Sequence, residues 1–285
     1  MRNKASTAPT LQRLLESARY EVLPTASTED KVLEHVPRDV AVTITASPGK
    51  GLEATFDLAE RLAGHGYVVV PHVAARMVSG RTELEEICGR LTGKGITRVF
   101  VPGGDADPPG AYPDALSMLE DLADLGRPFP HVGITGYPES HPTIHDDLTV
   151  QSMWDKRRYA THIVSNLTFD PAVMTGWVRR LRSRGVTMPL LLGIPGPVDR
   201  TKLLAMATKI GVGESTRFLN KHKGTFARLA APGGFTGERF LEKCAPALSA
   251  PDAAVEGLHV FTFNQVPATE AWRRQLLEQL NHHVG

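Results

Sequence analysis

Short apolar runs rich in Val and Ile alternate along this chain with longer segments whose apolar residues recur three and four apart. The joints between them are short and carry Gly or Pro. The stretches GHGYVVVPH (64–72), GKGITRVFVPGGD (93–105), LGRPFPHVGITGYP (125–138) and SRGVTMPLLLGIPG (183–196) repeat one order: helix end, glycine, strand, Gly/Pro loop. A glycine just past a helix supplies left-handed backbone without steric cost. Continuous apolar strands between helices mark a parallel sheet covered on its faces. By this pattern the predicted strands are 20–23, 40–45, 67–72, 98–102, 131–136, 162–166, 190–194 and 258–263. Between them lie helical stripes such as Leu52, Phe56, Ala59 and Leu62, or Val173, Trp177, Val178 and Leu181.

Strand–helix units in this number, in 285 residues, match a (β/α)8 TIM barrel, typically about 250 residues long. The rival is an open doubly wound sheet, which normally carries a glycine-rich dinucleotide turn after its first strand. Here that strand is followed by ProThrAlaSerThrGluAsp, and neither GxGxxG nor GxxxxGK[ST] occurs. The reading is one α/β domain over residues 11–285, a barrel, preceded by a flexible N-terminus at 1–10. The long connection before the last strand is expected to hold two helices, around 214–221 and 237–248.

Composition narrows the function classes. Lys plus Arg number 32 against 31 Asp plus Glu, so bulk charge recommends neither nucleic acid nor a membrane surface as partner. Cys88 and Cys244 have no CxxC neighbour, which speaks against zinc and a disulfide framework and for a reducing, cytoplasmic setting. The opening MRNKASTAPT lacks the apolar core of a signal peptide, and no run reaches about 18 apolar residues. The oligomeric state stays open.

A barrel of this type carries its active site at the C-terminal ends of the strands. The polar residues predicted there are Glu21, Thr43, Thr45, His72, Asp105, Tyr137, Glu139, His141, Ser165, Asn166, Asn264 and Gln265. Glu21 inside an apolar strand reads either as a salt-bridged structural residue or as a carboxyl whose burial raises its pKa, as a general acid requires. His72 could cap a loop and Asp105 could serve a turn. His141 and His145 have helical zinc spacing but no third ligand, so no metal is expected. The arginines at 179, 180, 182 and 184 read as a solvated helix face.

These residues carry a resemblance. TyrGluValLeuPro (20–24), ProHis (71–72), GlyGlyAsp with ProProGly (103–110), TyrProGluSerHisPro (137–142) and ThrPheAsnGln (262–265) resemble, in order, the motifs of the methylenetetrahydrofolate reductase catalytic barrel. The resemblance runs from about Tyr20 to Leu280. It implies reduction of 5,10-methylenetetrahydrofolate to 5-methyltetrahydrofolate, with Glu21 as the acid at N10 and Asp105 stabilising the pterin cation. It further implies folate contacts at Asp105, Asn166, Phe218 and Gln265, and cofactor contacts at Thr45, His72, Gly104, Tyr137, His141 and Lys156. The departures bear on the cofactor. The arginine that precedes Gly-Asp in the flavoprotein members is Gly103 here, and the family's Thr-Gln after strand 6 reads Ser165–Asn166. The expectation is therefore direct hydride transfer from NADH or NADPH, with FAD disfavoured. Two further readings stay open: a retaining glycosidase on Glu21 and Glu139, with carboxyl groups roughly 5–5.5 Å apart, and a non-catalytic folate-binding barrel.

Overall fold

The computed structural model of the chain describes residues 2–46, 49–138, 145–198 and 236–284. The described elements run α1 (Arg2–Glu16), β1 (Arg19–Val22), α2 (Thr28–His35), β2 (Ala41–Ile44), α3 (Glu53–Gly64), β3 (Val69–Pro71), α4 (Arg81–Gly93) and β4 (Arg98–Phe100). They continue with α5 (Ala115–Asp124), β5 (His131–Gly136), α6 (Asp146–Lys156), β6 (His162–Ser165), α7 (Pro171–Ser183), β7 (Leu190–Pro195), α8 (Gly237–Leu248), β8 (Val255–Phe261) and α9 (Val266–Val284). Every strand pairing is parallel, and the sheet order is β3-β2-β1-β8-β7-β6-β5-β4. The seam between β3 and β4 is closed by a single parallel bridge, His72 to Phe100, with the Val73 amide donating to the Phe100 carbonyl at 2.8 Å. The predicted single (β/α)8 barrel is the fold observed.

Alternation along each strand separates two interiors. Tyr20, Val22, Val42, Ile44, Ile134 and Leu192 point outward into the main core against the helices. Val70, Phe100, Val164 and Leu191 form a separate small cluster inside the barrel. On β1 the residues between the outward ones are Arg19 and Glu21, so both charged side chains face the barrel interior. Helix starts are fixed locally. The Asp114 side chain accepts the Ser117 amide at the start of α5, and Asp170 accepts that of Ala172 at the start of α7, with Pro171 in its first turn.

The structure departs from the sequence reading in three places. Helix α1 begins at Arg2, inside the segment expected to be flexible, and Thr7, Ala8, Leu11, Leu14 and Leu15 are buried. Strand β8 begins at Val255, three residues earlier than predicted. Glu256 and Gly257 break the apolar run there, and Gly257 is needed because a Cβ would lie 2.3 Å from the Ser17 carbonyl oxygen. The arginine-rich face of α7 is not wholly solvated. Arg182 is half-buried and donates to the carbonyls of Ala253 and Met188, joining α7 to the β7 and β8 entries. The helix expected around 214–221 lies outside the described residues.

Behind β1, the Tyr20 hydroxyl donates to Glu270 at 2.6 Å. Arg273 and Arg274 also donate to Glu270, and Arg273 reaches the Leu15 carbonyl. This network locks α9 and α1 to the outer face of the strand that carries Glu21.

Candidate active site

Glu21 lies near the C-terminal end of β1, in register with Thr43 of β2 and Phe261 of β8. Its Oε2 is 2.9 Å from His259 Nε2 and 3.6 Å from His72 Nε2, the second distance being too long for a hydrogen bond. Both rings thus face one carboxylate oxygen and leave Oε1 outside these contacts. The rings are held by aromatic neighbours: His72 packs on Phe100 at 4.7 Å and His259 on the edge of Phe261 at 4.9 Å. Thr43 Oγ1, His72 Nε2 and His259 Nδ1 are buried and have no hydrogen-bond partner among the described residues. Buried polar atoms are nearly always satisfied. Three orphans around one carboxylate mark a place built for something other than packing.

The electrostatics correct one expectation. Burial pushes the Glu21 carboxyl up, but the hydrogen bond with His259 and the electrostatic interaction with the two rings more than offset it, and the carboxyl is held below its usual value. The sequence reading expects a raised carboxyl because sequence shows the apolar strand and not the partner 238 residues away. His72 is pushed down to about 4, chiefly by burial, with Glu21 opposing and His259 adding to the effect. It is therefore neutral near pH 7.

The other expected residues are placed as follows. Thr45 follows β2; its amide donates to the Val22 carbonyl and its own carbonyl accepts from the Thr55 hydroxyl. Gly104 has φ +85 and lies against Ala74, where a Cβ would come within 2.9 Å, so the loop after β4 needs glycine there. Asp105 follows on the exposed side of that loop. Burial, and then the charge of Asp105, raise the phenol of Tyr137. Asn166 is exposed after β6, its side chain accepting from the Leu167 amide. Gln265 starts the turn into α9, its amide on the Thr262 carbonyl. Asn264, with φ 57, clamps the β1 exit by bonding both the amide and the carbonyl of Leu23. Lys156 ends α6, lowered by burial, with Asp114 and Asp155 as its charged neighbours rather than the Glu21 group. Glu139, His141 and Phe218 lie outside the described residues, and His145 caps α6.

The structure therefore brings Glu21 and His72 together and adds His259, which the sequence reading passes over inside GLHVFTF (257–263). The available signal is parity: His259 is two residues before Phe261, on the same inward face.

A flavin diphosphate would need a cation beside the loop after β4. Gly103 offers no side chain, and the Arg76 guanidinium is engaged by the Ala106 and Pro113 carbonyls, near Asp107. The described residues there do not fit that group.

A family model described as methylenetetrahydrofolate reductase matches residues 25–277. Among solved structures, a protein from Clostridium thermocellum that binds two copies of 5-methyl-5,6,7,8-tetrahydrofolic acid superposes with TM-score 0.64 at 9% identity, covering 92% of this chain and 95% of that one. The C-terminal domain of a Desulfitobacterium hafniense protein described as a chitinase gives TM-score 0.55 at 14% identity, covering 94% and 99%. At such identities these likenesses carry the fold alone.

Proposed function

The chain belongs to the methylenetetrahydrofolate reductase family, and from that premise we propose that it reduces 5,10-methylenetetrahydrofolate to 5-methyltetrahydrofolate by hydride transfer directly from NADH or NADPH. The observation that carries the reading is the buried Glu21–His259 hydrogen bond at the C-terminal end of the strands, with His72 beside it.

Glu21 carries the proton for the reaction, held in place by its hydrogen bond with His259. Glu21 delivers it to N10 of the folate, the five-membered ring opens, and an electrophilic iminium forms at N5. The nicotinamide hydride then adds to the methylene carbon, leaving the methyl product and the oxidised dinucleotide. His259 holds the carboxyl in place through its hydrogen bond, and Glu21 takes up from solvent the proton it delivers. Asp105, exposed at the mouth, stabilises the cation as it develops. Asn166 and Gln265 serve the pterin side; Thr45, His72, Gly104, Tyr137 and Lys156 serve the dinucleotide side, and His141 and Phe218 keep the roles given by their motifs. Holding two partners in reacting geometry supplies roughly 7–11 kcal/mol, so a hydride can pass to an iminium without an intermediate carrier. The missing cation at Gly103 supports this over a flavin-mediated ping-pong reaction. The family match supports the choice of a folate substrate. Cys88 and Cys244 are separate free thiols, in keeping with a cytoplasmic setting. No described helix is long and apolar enough to cross a membrane.

The test is the absorbance spectrum of the purified protein together with an NADH-oxidation assay. The expected result is a colourless protein that oxidises the dinucleotide only when methylenetetrahydrofolate is present. A flavin spectrum, or dinucleotide oxidation by menadione without folate, would overturn direct transfer.

A further inference from the structure

At the opposite end of the barrel, Arg19, Arg98, His131 and His162 converge on the interior. Arg98 and His131 are cross-strand partners on β4 and β5, and His162 reaches over Gly133, where a Cβ would lie 2.8 Å from its Nε2. Arg19 crosses from β1 and places Nη1 3.2 Å from the same His162 Nε2. A guanidinium can only donate, so His162 accepts there; its Nδ1, 2.9 Å from the Thr161 hydroxyl, carries the ring proton. The ring is neutral, in accord with its depression to about 3 by burial, Arg19 and the other cations. Burial and Arg98 likewise bring Arg19 down to about 10.

Among the described residues this cluster has no acid. No described carboxylate lies within ion-pair distance of Arg19 or Arg98, and the Arg98 side chain makes no hydrogen bond among the described residues. Two like charges sharing a partly buried space repel one another, and a buried charge without a partner is costly. Residues at this end of a barrel ordinarily serve stability; an unpaired arginine pair does the reverse. All four side chains stay partly open to solvent, so the space can be reached. Guanidinium forks match the geometry of oxyanions.

We propose that the N-terminal end of the barrel is a binding site for a small doubly charged oxyanion, a phosphate or an anion of like charge, held between Arg19 and Arg98 with His131 and His162 beside it. The site lies at the end opposite the catalytic mouth, with His259, the register partner of Arg19, between the two, and does not rest on the function proposed above.

The probe is inorganic phosphate, followed by calorimetric titration and thermal unfolding, with sodium chloride at matched ionic strength as control. Wild-type protein is expected to bind phosphate saturably and to gain melting temperature beyond the chloride control. Arg98→Gln is expected to weaken binding at least tenfold and to abolish the gain. Arg98→Glu, which puts a carboxylate where the anion would lie, is expected to melt above wild type in phosphate-free buffer and to ignore phosphate. A misfolded variant cannot produce that last result. A wild-type response no larger than chloride's, or an undiminished phosphate response in both variants, overturns the proposal.

Discussion

At the C-terminal end of β1 the inward carboxylate of Glu21 meets two imidazoles; two residues earlier on the same strand, Arg19 meets Arg98, His131 and His162 and no described acid. The two ends share strands, alternation and a dry apolar layer between them, Val70, Phe100, Val164 and Leu191. They differ in whether charge is answered from within the chain. At the mouth, a partner inside the protein sets the protonation of Glu21 and leaves uncommitted polar atoms for a substrate. At the base nothing in the described chain answers the arginines. A third group lies outside the barrel: Glu270 is wholly answered, by Tyr20, Arg273 and Arg274, and is structural.

The comparison can be broken most directly at the mouth. Glu21→Gln keeps the shape and removes the proton. Turnover is expected to fall by roughly 10²–10⁴-fold, while equilibrium binding of a tetrahydrofolate derivative changes little. Steady-state NADH oxidation and a binding titration check this pair, and unchanged turnover would remove the role given to Glu21. Next in size is the structural group. Glu270→Ala leaves buried Arg273 without its carboxylate and should cost about 3–5 kcal/mol, read from the urea midpoint. A loss under 1 kcal/mol would mean that internal pairing does not separate this region from the base.

A further effect concerns acid. In the unfolded chain His72 and His162 take up a proton below about pH 6.5; in the folded chain they do so only near 4 and 3. The unfolded state therefore binds more protons in that window, and stability is lost as the pH falls through it. The loss is at most about 1.4 kcal/mol per pH unit for each ring. Below a carboxyl's usual value the lowered Glu21 adds a loss of the same sign. Urea midpoints at pH 7 and pH 5 should show the drop, and His162→Gln should shrink it. An equal drop in that variant would detach His162 from the acid response.

Much of this was legible in the sequence. The barrel follows from alternation and glycine joints, because those are local signals. Glu21, His72 and the glycine-bearing loop at Gly104 and Asp105 could be named because they close recognisable strands. What could not be read is pairing across the barrel. Parity puts His259 on the face of Phe261, but its partner and that of Arg19 lie on distant strands whose register the sequence does not show, and the sign of the Glu21 shift depends on that distant ring. The start of β8 was hidden because a glycine chosen for its closeness to Ser17 looks like a break in the strand.

Three consecutive residues of β1 thus serve three places: Arg19 the base, Tyr20 the outer helices, Glu21 the mouth. The strand has only four residues and is held in register on both sides. Inserting or deleting one residue within it would turn Tyr20 into the barrel and Glu21 toward α9, exchanging every assignment at once. Descendants of this chain can lengthen or shorten their loops by small steps, but between Ser17 and Leu23 they can change only by substitution.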